Sequence, residues 1–222
     1  MKSPNLNRYL DHTLLVQDAT TEMIEVCCRE AIEYSFKTVM VNPGYLSLVC
    51  ERLKDHDDIS PATVIGFPLG ANTSEVKKYE AMQAAKQGAA EIDMVTRIDW
   101  LCENRFSEVE KEISLVRKSL PEEIILKVII ETARLSPEQQ KKATKAIING
   151  GAQYVKTSTG FFGGVTVEPV QNLVQEAQGK IKVKASGGIK TLAQAEILIQ
   201  AGADRLGCSA SVAIIMKWND DI

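Results

Sequence analysis

Short apolar runs rich in Val and Ile alternate with longer amphipathic stretches from one end of the chain to the other. This alternation limits the fold more than any other feature. The runs fall at residues 36–41, 62–67, 90–95, 124–130, 153–157, 181–185 and 204–207, with a weaker eighth at 9–15. A continuous apolar run of this length reads as a strand buried on both faces, as in a parallel sheet. The stretches at 20–34, 43–54, 73–87, 103–120, 168–178, 191–200 and 209–218 read as helices. One more helix starts at Ser136-Pro137-Glu138, with Ser as cap and Pro at the first helical position.

A punctuation mark repeats along the series. Gly88-Ala89, Gly151-Ala152 and Gly202-Ala203 each stand between a helical stretch and a strand run. Glycine accepts the left-handed conformation in which helices commonly end. No low-complexity linker interrupts the pattern, so residues 1–222 read as one domain. Eight strand–helix units fit a (β/α)8 barrel. The competitor is an open doubly wound sheet, whose glycine fingerprint is missing after the first strands. In a barrel, reactive groups sit at the C-terminal ends of the strands and in the loops that follow.

Composition excludes several classes of function. With 45% hydrophobic residues in 222, the chain has enough apolar material to fill a core, unlike a disordered segment. A formal net charge of −3 is not that of a dedicated nucleic-acid binder. No stretch reaches the length of a membrane span, and residues 1–11 lack the apolar core of a signal peptide, so a cytoplasmic protein is expected. The five cysteines show no metal-like spacing and read as free thiols. The two histidines, His12 and His56, lie too far apart for a His-based metal site.

Charge inside a strand run is costly unless it is paired or functional. Asp93, Lys127, Lys156 and Lys184 all lie in such runs. A lone lysine in a strand usually reaches outward to water. Three successive strands each carrying one suggest instead that period-two alternation points them into the barrel mouth. Neighbouring ammonium groups disfavour one another, and burial adds to the effect. One of them can then be a neutral amine that attacks a carbonyl, with a carboxylate and the second lysine moving protons. Glycine-rich turns follow the last three strands, at Thr159-Gly160, Ser186-Gly187-Gly188 and Gly207-Cys208-Ser209. Such turns, with a helix start near Ser209, offer backbone amides and a positive dipole end to a phosphate.

These residues carry a resemblance. Residues 154–161 (YVKTSTGF) resemble the Schiff-base segment of the deoxyribose-phosphate aldolases. So do residues 183–191 (VKASGGIKT), 91–95 (EIDMV), 126–132 (LKVIIET), 65–71 (IGFPLGA) and 10–15 (LDHTLL), in family order over nearly the whole chain. The resemblance implies a (β/α)8 class I aldolase needing no metal or other cofactor. It also implies reversible cleavage of 2-deoxy-D-ribose 5-phosphate to D-glyceraldehyde 3-phosphate and acetaldehyde. On this resemblance Lys156 matches the Schiff-base lysine, Lys184 the second lysine and Asp93 the acid/base that works through water. Asp11 and Thr13 match positions near a substrate hydroxyl. Gly160, Gly187, Gly188, Gly207 and Ser209 match the phosphate cradle, and Lys127 a barrel lysine that supports the site charges; Thr159, beside Gly160, is counted with the substrate- or phosphate-binding residues. A homodimer or larger homo-oligomer is implied, with no nucleic-acid or membrane partner.

The chain departs from the family pattern in places. Thr96-Arg97-Ile98-Asp99 stands where INIG usually follows EIDMV, Met40 replaces a cysteine, and Val16-Gln17 replaces Lys-Pro. Arg97 and Asp99 put two charges just past Asp93. Two other readings stay open on the residues alone. One is a phosphosugar isomerase or lyase without an imine, for which Asp93 and Glu131 are the obvious carboxylate pair. The other is a catalytically silent barrel that binds a phosphorylated sugar.

Overall fold

A computed structural model describes residues 5–220. The apolar runs form β1 (Leu10–Leu14), β2 (Thr38–Val41), β3 (Ser60–Ile65), β4 (Glu91–Val95), β5 (Ile125–Ile129), β6 (Tyr154–Lys156), β7 (Lys182–Ser186) and β8 (Arg205–Cys208). Each strand pairs with the next in sequence, and β1 pairs in parallel with β8. The sheet therefore closes into the expected (β/α)8 barrel, and a doubly wound sheet, which needs open edges, is excluded.

The helices are α1 (Thr21–Glu33), α2 (Leu46–Leu53), α3 (Ser74–Lys86), α4 (Ile98–Cys102), α5 (Phe106–Lys118), α6 (Pro137–Gly150), α7 (Val167–Ala177), α8 (Leu192–Gln200) and α9 (Ser211–Asp220). Their ends follow local chemistry. Ser136 and Gln139 form a reciprocal capping box with Pro137 in the first turn, and Thr191 and Gln194 form another. Gly88, Gly151 and Gly202 have φ of +98°, +85° and +102°, so the repeated glycine does end helices.

Three expectations shift. The helix expected at 43–54 opens as a 3-10 turn, Pro43–Tyr45, before α2. The stretch expected at 103–120 is α5, preceded by the short unforeseen α4, which begins just after Arg97. The last helix starts at Ser211, with the Ser211 hydroxyl donating to the Cys208 carbonyl at 3.1 Å, so Ser209 lies in the turn before it. No helix among the described residues is long and apolar enough to cross a membrane.

One continuous apolar cluster joins strands to helices, including Ile92, Leu126, Val128, Val155 and Leu206 with Ile113, Ile147, Val170 and Leu173. Each such side chain contributes about 1.5–3 kcal/mol when fully buried. The barrel interior differs. A small apolar cluster of Met40, Ala62 and Val64, packed by Leu15 and Phe67, occupies the β2–β3 side. The remaining strands fill the centre with charge.

Candidate active site

Parallel register brings the charged residues together. Asp93 lies opposite Lys127, and Lys156 opposite Lys184, which in turn lies opposite Arg205. Asp11 on β1 closes the ring beside Gly207. Alternation then puts Asp11, Glu91, Asp93, Lys127, Lys156, Lys184 and Arg205 into one buried network, each at most 5% exposed.

Asp93 is its hub. Its Oδ2 accepts from Lys156 Nζ at 2.8 Å and Lys184 Nζ at 2.7 Å, and its Oδ1 accepts from Lys127 Nζ at 2.9 Å. Asp11 Oδ2 lies 2.5 Å from Lys184 Nζ, and Asp11 Oδ1 accepts from Arg205 Nε at 2.8 Å. Glu91 pairs with Arg205 at 3.1 Å and contacts Lys127. Burial raises the Asp93 carboxyl, but Lys127, Lys156 and Lys184 outweigh it and hold Asp93 well below the usual range. The same contest lowers Asp11, with Arg205, Lys184 and Lys127 as the cations. Burial lowers Lys127, but Asp93, Glu91 and Asp11 hold it above its ordinary value. Both carboxylates at the hub are thus ionised, and their oxygens are taken up by cations rather than open to a metal ion.

Four cations face three carboxylates in this network. One proton removed from a cation balances it. Lys156 is the least held, because its single carboxylate oxygen is shared with Lys184. Its pKa falls to about 8, burial being the leading cause; Lys184 and Lys127 add to the fall and Asp93 resists it. This corrects the order of causes expected from the sequence, where repulsion between lysines came first. Asp93 sits between the two ammonium groups and offsets most of their mutual effect.

A cavity of about 530 Å3 opens above the network at the C-terminal ends of the strands, and Lys156 is on its wall. Thr13, Thr159, Gly160, Gly187, Gly188, Gly207 and Ser209 line it too. Lys190, which sequence reasoning passed over, brings an ammonium group to the rim. Asp11 and Lys127 were grouped with the substrate-binding residues, but the structure places both in the fully buried layer beneath the cavity, where cross-strand ion pairs hold them. Asp93 and Lys184 lie in the same layer.

Two glycines on this wall are required by space. A Cβ on Gly207 would meet Lys184 Cε at 3.0 Å and Ser186 Cβ at 3.1 Å. Gly187 has φ of +103°, and a Cβ there would lie 2.9 Å from the Gly163 carbonyl. The loops after β6 and β7 are stitched together by Thr157 and Ser186, with the Ser186 N–H donating to Thr157 Oγ1 at 3.0 Å.

Sequence reasoning missed Glu91 and Arg205 as members of the network, although both lie in strand runs and the criterion used for the lysines applies to them equally. Glu131 is engaged by Thr159. Its Oε2 accepts from the Thr159 N–H at 3.1 Å and the Thr159 hydroxyl at 2.6 Å. The carboxylate pair that an imine-free enzyme would need is therefore split: Asp93 is surrounded by ammonium groups and Glu131 fastens a loop. Arg97 and Asp99 pair with each other, and Arg97 lies 4.6 Å from the Trp100 ring centroid, so their charges close on themselves.

An amine of lowered pKa on the wall of a barrel-top cavity, above a buried network of lysines and carboxylates, suits a barrel enzyme that acts on carbonyl compounds. The DeoC/LacD family of aldolases matches residues 7–216, and the chain belongs to that family; it is a lyase. The deoxyribose-phosphate aldolase of Natranaerobius thermophilus is 48% identical over 217 residues, covering 97% of this chain and 98% of its own. That of Thermoanaerobacter sp. (strain X514) is 46% identical over 218 residues, covering 97% of each. A tetrameric deoxyribose phosphate aldolase structure from Aeropyrum pernix superposes with a TM-score of 0.87 at 32% identity, covering 99% of this chain and 94% of that one.

Proposed function

We propose that this chain cleaves 2-deoxy-D-ribose 5-phosphate reversibly to D-glyceraldehyde 3-phosphate and acetaldehyde through an imine on Lys156. One observation carries the reading: Lys156 alone belongs both to the buried charge network and to the cavity wall. Its pKa of about 8 leaves a useful fraction of neutral amine near neutral pH.

The neutral Nζ attacks C1 of the open-chain sugar, and loss of water leaves a protonated imine. The C3 hydroxyl gives up its proton, the C2–C3 bond breaks, and its electron pair moves into the C1–C2 enamine. C3 leaves as the aldehyde of glyceraldehyde 3-phosphate. The enamine takes a proton at C2, and hydrolysis frees acetaldehyde and Lys156. Lys184 and Asp93 hold and pass these protons, through water, from beneath the imine. The amides at Gly160, Gly187, Gly188, Gly207 and Ser209, with Lys190, hold the phosphate, while Thr13 and Thr159 face the sugar. Asp11 and Lys127 act from below through their ion pairs with Lys184 and Asp93.

The chain works as one barrel domain in the cytoplasm, as a homo-oligomer. The tetrameric relative supports the last point. The test is cleavage of 2-deoxyribose 5-phosphate, read as both products, with borohydride inactivation in its presence. Both products and substrate-dependent inactivation are expected. Cleavage that survives borohydride would indicate an imine-free lyase, and saturable binding without products a silent barrel.

A further inference from the structure

The barrel has a second mouth, at the N-terminal ends of the strands, and a cavity of about 550 Å3 opens there. Tyr154, Lys182 and Arg205, which open β6, β7 and β8, form part of its wall, with Lys37 just before β2 and Arg8 before β1. Four cations thus face one carboxylate, Asp204, whose Oδ2 already accepts the Val183 N–H at 2.8 Å. This end of a barrel ordinarily serves stability alone.

Two of the cations are satisfied. Arg8 pairs with Asp58 at 3.2 Å and donates to the carbonyls of Ser35 and Phe36. Arg205 is held by Asp11 and Glu91. The other two are not. Among the described residues no hydrogen bond or ion pair is made by the ammonium of Lys37 or Lys182, and Lys182 rests 5.8 Å from the Tyr154 ring centroid. Burial, with Arg8 and Arg205, pushes Lys37 down, while Glu91 and Asp11 resist. Like charges gathered in a concave site focus the potential onto an anion.

We propose that this second mouth binds a small phosphate-class anion, either free phosphate or a phosphate monoester, between Lys37 and Lys182 with Arg205 behind it. The inference stands apart from the reaction at the other mouth, because neither lysine touches the cavity that holds Lys156.

Calorimetric titration at low ionic strength with inorganic phosphate and, separately, ribitol 5-phosphate tests it on three proteins. These are the wild type, the Lys37→Ala/Lys182→Ala double variant, and a Gly187→Ala variant that obstructs the upper cavity. Two sites per chain are expected in the wild type and one in each variant, the lysine-dependent site weakening by about tenfold or more. Lys37→Arg/Lys182→Arg should restore it. The probe that binds more tightly at that site identifies its source, free phosphate or ester. A single site that vanishes in the double variant would support this mouth and count against the upper phosphate cradle. Equal stoichiometry and affinity in the wild type and a folded double variant would overturn the proposal.

Discussion

Between α3 and α5, Lys77 meets Glu112 at 2.9 Å, with both side chains fully buried. Glu112 also accepts from Ser74 at 3.1 Å, Thr96 at 2.9 Å and the Arg97 N–H at 3.2 Å, which fastens the loop after β4. At the barrel centre four cations share three carboxylates, and one of the cations, Lys156, borders the cavity at the C-terminal ends of the strands. Burial lowers the amines of Lys77 and Lys156 alike. What separates them is stoichiometry and access. Lys77 has a carboxylate oxygen and no opening beside it, so it closes a structural contact. Lys156 shares its oxygen and faces the space where a substrate would sit. A lowered pKa is thus common to a structural lysine and to the proposed nucleophile; the unmatched charge on the wall is what distinguishes the second.

Substitutions can break this contrast from either side. Lys156→Ala should cut turnover by at least about 10^3-fold with the fold intact, because no other amine on the wall is backed by the network. Steady-state kinetics beside a thermal melt would check it. Glu112→Ala should do the reverse, costing about 3–5 kcal/mol of stability by leaving Lys77 buried without its partner. Activity at a permissive temperature should change little, and denaturant unfolding reads the loss.

Lys184→Leu should slow turnover by about 10^2-fold, the scale of one general acid–base contribution. It should also raise the pKa of Lys156, since a repelling charge is removed and Asp93 Oδ2 is left to Lys156 alone. The pH–rate profile shows the sign. For the wild type, kcat/KM rises with pH as Lys156 loses its proton and levels above a midpoint near 8. In Lys184→Leu that midpoint should move to higher pH. The smallest effect should come from Arg97→Ala. Its exposed pair with Asp99 is worth about 0–1 kcal/mol, and the rate should stay within about twofold.

Much of this was legible in the residues because it is local. Apolar runs marked the strands, and Gly88, Gly151 and Gly202 marked helix ends, since each needs only its neighbours in the chain. Lys156, Lys184, Lys127 and Asp93 stood out as charge in places that should be apolar. Which of them meet was not local. It depends on the register between strands far apart in sequence, and so Arg205 and Glu91 were passed over. The depth of Asp11 and Lys127 was hidden for the same reason, as alternation sets the face a side chain points to but not its level in the barrel. The excess of one cation, which singles out Lys156, appears only once all seven groups are counted together.

The central claim is that this unmatched cation is the nucleophile, and trapping it tests that directly. The protein is incubated with acetaldehyde and borohydride at a series of pH values, digested, and mapped by peptide mass. The account predicts one reduced adduct, on the peptide containing Lys156, with a yield that rises with half-maximum near pH 8. An adduct on Lys184, Lys127 or Lys77, or none from folded protein, would contradict it.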